Sequence, residues 1–312
     1  MFDKLGILAA VALAAIAVAA PAKQQTAPTG VAAQPSATSV TIPFSPPVGV
    51  PLRYRFTKTM FGPAERTITL DFTARFDRAG DGYRMTVAYQ LPPAAGARSR
   101  DPALLVLQRP LSLRIGADGT LLSLDDEPAY WAGVEALLAR MVAEDGGGTP
   151  EGREAMRRIV ADMRGLPEDV RVEKLAENFL PLIAMSGAEL IISEPVTWTG
   201  ETETIFGPLT ANQTLTLDRV ADGIAYIKSE TTVPREDMDE AMRTMFARLT
   251  PPGAGRPVPP DFRFHSAENS EISEVAIETG LTRRYRATRT IDLEAQGQRQ
   301  RGGTVISLER LE

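Results

Sequence analysis

Glu201 and Glu203 are two residues apart. On a strand they would share one face about 7 Å apart, a separation suited to general acid and base work. Carboxylates that cleave glycosides stand on separate elements flanking an aromatic-lined cleft, and aromatic residues make up only 6% of this chain. Exposed strand charge is the competing reading. A second acidic group, Asp237, Asp239 and Glu240, falls where a helix begins, and acids there answer the helix dipole without any further role. His265 lies in Phe262-Arg263-Phe264-His265-Ser266, with Asp261 and Glu268 nearby in sequence. It would be a general base for a serine, but no Gly-x-Ser-x-Gly elbow is there to present one. His265 therefore reads as a packing or surface residue. Gly146-Gly147-Gly148 precedes helical residues without the lysine or the strand that a phosphate loop needs. It reads as a linker.

Cysteine is absent and histidine occurs once. Disulfides, thiol nucleophiles, iron–sulfur clusters and thiolate zinc sites are thereby excluded, as is any cluster of two or more histidines on a metal. No catalytic residue and no cofactor are expected. The formal charge of −6 argues against general nucleic-acid binding, which needs a basic face.

Binding chemistry is the better-supported expectation. After Gly280, residues Leu281, Tyr285, Ala287, Ile291 and Leu293 share one strand parity, and Arg283 and Arg289 fall on that same parity. Lys58 interrupts Leu52, Tyr54, Phe56 and Met60 in the same way. A cation turned toward an apolar face is costly unless it is paired, hydrated or serving an anion. One reading is a strand end or a core carboxylate answering the charge. The other is a rim of cations over an apolar groove, suited to the headgroup of an amphiphile. Met238, Met242 and Met245, with Phe246 and Leu249, line one side of a helix expected from about Arg235 to Leu249. Methionine faces suit adaptable apolar binding, and they also serve as core stripes. Lys58, Arg283, Arg289, Met238, Met242 and Met245 are thus the candidate ligand-binding residues.

The elements that must position them are mostly strands. Residues 52–60, 67–76 and 83–91 alternate apolar and polar with period two, the mark of antiparallel strands wet on one face. A hairpin follows, with its turn at Ala117-Asp118-Gly119. Helical stripes run through residues 130–141 and 156–163, and a third from Glu168 to Met185 that Pro181 should kink or split. Strands return over 196–206, 209–220 and 224–233, and again over 271–278, 281–294 and 304–311. Strands never alternate singly with helices, so a parallel sheet is not expected. The expected fold is α+β: about ten antiparallel strands in one long curved, half-barrel-like sheet, with helices packed on its concave face. Residues 48–312 are read as a single domain, with a split near residue 190 as the alternative.

Residues 1–22 read as a secretory signal peptide. Lys4 is followed by an uncharged run from Leu5 to Ala20, and Ala20-Pro21-Ala22 places small residues at the cleavage positions. Cleavage is expected before Lys23, and a cut after Ala20 is disfavoured by Pro21. The run is short for an uncleaved anchor. Without cysteine there is no lipid-modified N-terminus. Residues 23–47, rich in Ala, Pro, Thr, Ser and Gln, read as a disordered tether. The mature protein is expected in the periplasm or secreted.

This order of elements on an exported chain resembles the half-barrel of periplasmic lipoprotein carriers of the Lol type and related lipid-binding proteins. The phrases Gly116-Ala117-Asp118-Gly119-Thr120-Leu121-Leu122-Ser123-Leu124, Pro195-Val196-Thr197-Trp198 and Glu278-Thr279-Gly280-Leu281 also resemble a group of exported bacterial domains of unknown function. The chain is longer than the carriers and carries more helix in its middle. The resemblance implies an open apolar concavity and transfers no catalytic residue. Two functions are therefore expected in competition. One is non-catalytic binding of a hydrophobic or amphiphilic ligand, a lipid among them, in a curved-sheet groove. The alternative is a structural or envelope protein-interaction domain with a filled core. Neither involves nucleic acid.

Overall fold

In the computed structural model, residues 38–62, 65–90, 110–144, 161, 164–204, 207–240, 263–295 and 297–312 are described. Period-two alternation gives every long strand one apolar face to bury, and these strands satisfy their backbones by pairing side by side. The strands are β1 (Ser39–Thr41), β2 (Pro51–Phe61), β3 (Arg66–Ala79), β4 (Gly82–Gln90), β5 (Leu111–Ile115), β6 (Leu121–Leu124), β7 (Glu189–Ile191), β8 (Val196–Thr204), β9 (Gly207–Ala221), β10 (Ile224–Thr232), β11 (Arg263–Ala276), β12 (Thr282–Ala295) and β13 (Gln298–Leu311). Eleven of them form one antiparallel sheet in the order β6-β5-β4-β3-β2-β13-β12-β11-β10-β9-β8. The sheet is not closed. Each strand pairs with its neighbour in sequence except at one seam, where β13 joins β2 with Ile306 opposite Lys58 and Leu308 opposite Phe56. β1 and β7 pair separately.

Turn chemistry sets the hairpins. Asp222 and Gly223 both adopt positive φ between β9 and β10, the geometry a two-residue hairpin requires. At the β5–β6 turn, the Thr120 amide donates to Asp118 Oδ1 at 2.9 Å.

Among the described residues one expected helix is shorter than the sequence reading has it. The described residues hold α1 (Glu127–Glu144), α2 (Glu168–Ala176), a 3-10 turn at Leu180–Leu182 and helical residues 235–240. The expected helix from Glu168 to Met185 is cut after Ala176, with Pro181 at the start of the 3-10 turn. Proline supplies no amide to continue an α-helix. The expected helix over 156–163, the Gly146–Gly148 linker and most of the helix after Arg235 lie outside the described residues.

One face of the sheet is apolar. Phe56, Phe72, Phe76, Met85, Leu113 and Leu308 pack there with Val172 and Ala176 of α2 and with Phe179, Leu182 and Ile183. Phe179 sets its ring edge-on to Phe72 at 5.3 Å and tilts against Tyr89 at 5.5 Å. A second cluster joins Ile42, Met185 and Leu190 to Leu215, Leu217, Ile227 and Val275. The opposite face is polar, with Thr57 against Thr69, Thr59 against Thr67 and Arg55 on Asp71.

The expected tether needs correction at its C-terminal end. Residues 38–47 are ordered: Ile42 is fully buried, and Phe44 packs edge-on against Phe76 and Tyr83. Short apolar residues spaced by two among prolines are enough to dock an extended segment on a ready apolar surface, even without the composition of a strand. Residues 1–37, including the expected signal peptide, lie outside the described residues.

α1 and α2 are tied by charge. Arg171 of α2 donates to both carboxylate oxygens of Glu127 in α1 and to the Leu166 carbonyl at 2.6 Å. Trp131 Nε1 donates to the same carboxylate at 2.8 Å. The Arg171 hydrogen bonds hold the Glu127 carboxyl below its ordinary pKa. A depressed folded-state pKa adds stability above the unfolded value, and that stability is lost as pH falls through the folded value. Glu127→Gln is expected to cost about 1 to 2 kcal/mol at neutral pH. In urea unfolding followed by circular dichroism, the gap to the natural protein should close as the pH is lowered through the carboxylate range.

Candidate binding face

Interior polar groups concentrate in one row of the apolar face. Gln213 on β9 stands opposite Thr231 on β10, and Thr231 opposite Asn269 on β11. Asn269 stands opposite Arg289 on β12, and Arg289 opposite Thr304 on β13. All five are buried: Gln213 5%, Thr231 5%, Asn269 3%, Arg289 7% and Thr304 3% exposed. Directly opposed residues have Cβ atoms about 5 Å apart, so the row is continuous across five strands.

Two of the sequence-derived cations meet at this row. Arg289 Nη1 donates to Glu177 Oε1 at 3.1 Å, and Glu177 caps the C-terminal end of α2. Lys58 is half-buried one row away, on the strand beyond β13. Burial pushes its ammonium pKa below the ordinary lysine value, Glu177 raises it and Arg289 lowers it. One carboxylate thus serves two cations.

Arg283 stands apart from the other two cations. It is exposed, and it lies on β12 six residues, about 20 Å, from Arg289. Its field acts on Tyr54 instead, whose hydroxyl burial pushes up to about 12. Arg283 is the extra residue of a bulge, with Arg284 opposite Glu274 and Thr282 opposite Val275, so the parity count slips by one there and Arg283 is left exposed.

Met238 is buried. Met242 and Met245 lie outside the described residues. Asp237, Asp239 and Glu240 fall in helical residues 235–240, where Arg235 Nε approaches Asp239 Oδ2 at 3.9 Å. Glu201 and Glu203 are backbone partners of Thr210 and Pro208 at the β8 edge. His265 is the extra residue of a bulge between Phe264 and Ser266, with Nε2 3.3 Å from Glu294 Oε2. Among the described residues no three His, Cys, Asp or Glu side chains gather to hold a metal, and no helix is long and apolar enough to cross a membrane.

The sequence reading scored only cations on the wrong parity and so missed the rest of the row. Asn269 Nδ2 donates to Glu271 Oε1 at 2.7 Å. Burial, with the Glu271 carboxylate beside it, raises the Tyr285 pKa well above its ordinary value. Gln213 interrupts Leu209, Ala211, Leu215 and Leu217 just as Lys58 interrupts β2. Counting uncharged polar residues by parity would have found it. Asn269 lies in the part of β11, from Arg263, that precedes the strand read from the sequence at 271–278. Three atoms of the row are buried without a hydrogen-bond partner: Thr231 Oγ1, Asn269 Oδ1 and Arg289 Nε.

Lys58 supplies a direct check on these electrostatics. A lysine with a depressed folded-state pKa carries a cost that is full below that pKa and is relieved as pH rises from there toward the unfolded value. Lys58→Met is expected to stabilise the protein by about 1 kcal/mol at neutral pH. Thermal unfolding should show the gain shrinking as the pH approaches the lysine range.

No protein-family model matches the chain, and no curated protein does. The likeness to Lol-type carriers therefore rests on the layout of elements alone. A solved structure concerned with lipid–protein interactions in lipovitellin is similar with a TM-score of 0.42 and 7% identity. The match covers 85% of this chain and 25% of that one. At that TM-score the likeness carries no argument about fold or function.

Proposed function

We propose that this is an exported, non-catalytic protein that holds a hydrophobic or amphiphilic molecule against the apolar face of its open sheet. The reading rests on one observation above all. A row of buried polar side chains, three with unpartnered atoms, crosses a face that is mostly apolar, with Lys58, Glu271, Ser229 and Ser273 among its other polar members. An unpartnered buried polar group costs about 1 to 3 kcal/mol, and an amphiphile resting there would answer it while its chain lies on the flanking apolar residues. The concave, groove-like shape belongs to this proposal, as do helices on the concave side, export with cleavage before Lys23 and residence in the periplasm.

The rival reading has an observation of its own. α2, the 3-10 turn and the β1–β7 pair already fill the face over β2–β6 and the far ends of β9–β11. That favours a packed interaction domain for those parts and leaves the polar row as the region for a ligand. Native mass spectrometry of protein gently purified from the periplasm of an expressing bacterium separates the two. A polypeptide beginning at Lys23 with a co-purified lipid supports the binding reading. A ligand-free protein that takes up no added lipid removes it.

A further inference from the structure

We infer that the polar row recognises an uncharged, hydroxyl-bearing headgroup, of acylglycerol chemistry, rather than an anion; this rests on the binding function proposed above. The charges facing the row already balance among the described residues. Two cations, Lys58 and Arg289, face it together with two carboxylates, Glu177, which pairs with Arg289, and Glu271, which is bound to Asn269. An added anion would therefore leave this group with a net negative charge, at a buried position where uncompensated charge is most costly.

The unpartnered atoms define the complementary chemistry. Arg289 Nε has a proton to donate, and Asn269 Oδ1 has lone pairs to accept. They sit on directly opposed residues. A hydroxyl is the small group that accepts and donates at once, so one hydroxyl satisfies both. Thr231, directly opposite Asn269 on its other side, offers a third unpartnered atom, within reach of a neighbouring hydroxyl on the same headgroup. A carboxylate would satisfy Arg289 Nε but would set acceptor against acceptor at Asn269. An ester lacking hydroxyls would leave Asn269 unanswered. The apolar continuation is present on the same strands: Ala267 and Ile291 are opposed and buried one row farther along.

The test uses the full mature protein with three probes of one chain length: monoolein, methyl oleate and oleate, each titrated by native mass spectrometry. Monoolein is expected to bind about tenfold tighter than either of the others, the preference of a site whose buried partners need a hydroxyl. Asn269→Leu should abolish the preference over methyl oleate without weakening methyl oleate itself. Thr231→Val, which is closer in shape, gives the same reading in part should the leucine variant fail to fold. Tighter binding of oleate than of monoolein overturns the inference and leaves amphiphile binding standing. Equal binding of all three, unchanged by either variant, also overturns it, and means that water serves these atoms. Binding of none of the three overturns the parent reading with it.

Discussion

A chain ending at Ala295 is expected to lose cooperative unfolding altogether. Among the described residues, β13 alone joins the strands β2–β6 to the strands β8–β12 by strand pairing. Without it β2 and β12 become open edges, with their amides and carbonyls unpaired along the whole seam and free to pair with other chains. Ile306 and Leu308 leave the core as well. Two such side chains account for about 5 kcal/mol, which is on the order of a domain's entire stability. Thermal scans of the soluble fraction by near-ultraviolet circular dichroism should show a sharp transition in the natural protein and none in the truncated one. A surviving sharp transition would mean that the two groups of strands fold apart and that the seam is incidental.

Gly280→Ala is the second large effect. Gly280 has φ +72, and a Cβ there would stand 1.8 Å from the Pro43 carbonyl oxygen. Left-handed backbone costs an alanine about 1 to 2 kcal/mol. The clash is with backbone and cannot be relieved by a rotamer change, so the segment carrying Ile42 and Phe44 must move. That movement would also strain the bond from the Ser45 amide to the Thr279 carbonyl at 3.0 Å and the bond from Ser186 Oγ to the Gly280 carbonyl. The total expected is about 4 kcal/mol. Gly223 provides the control, since its φ is also +72 but a Cβ there would meet nothing within 4 Å. Gly223→Ala should cost only the backbone part. Urea denaturation of both variants isolates the contact with Pro43 as the difference, and equal costs would show that the segment does not bear on Gly280.

Legibility divides along physical lines. Alternation in β2, β3 and β4 could be read because burial of one face is written every second residue, and it fixes which side chains share that face. The same rule correctly turned Lys58 and Arg289 inward. It failed at Arg283, the extra residue of a bulge where Arg284 stands opposite Glu274 and Thr282 opposite Val275, so the count slips by one. Asn269 lies outside the strand that the sequence reading starts at residue 271, whereas β11 begins at Arg263. Residues 38–47 were misread because composition reports whether a segment can build its own core, and Ile42 and Phe44 use a core built by others.

Apart from β1, β7 and the first half of β11, the amino-acid sequence by itself determined most of the long strands and their turns, the absence of thiol chemistry and the inward placement of two cations. These are local properties of backbone preference, side-chain period and residue type. Only the tertiary structure decided that β13 closes onto β2, that Glu177 answers Arg289, and that Gln213, Thr231, Asn269, Arg289 and Thr304 align in one row. Each of those depends on the pairing of segments far apart in the chain. Strand register is set by the best joint burial of both partners, which neither partner's own sequence contains.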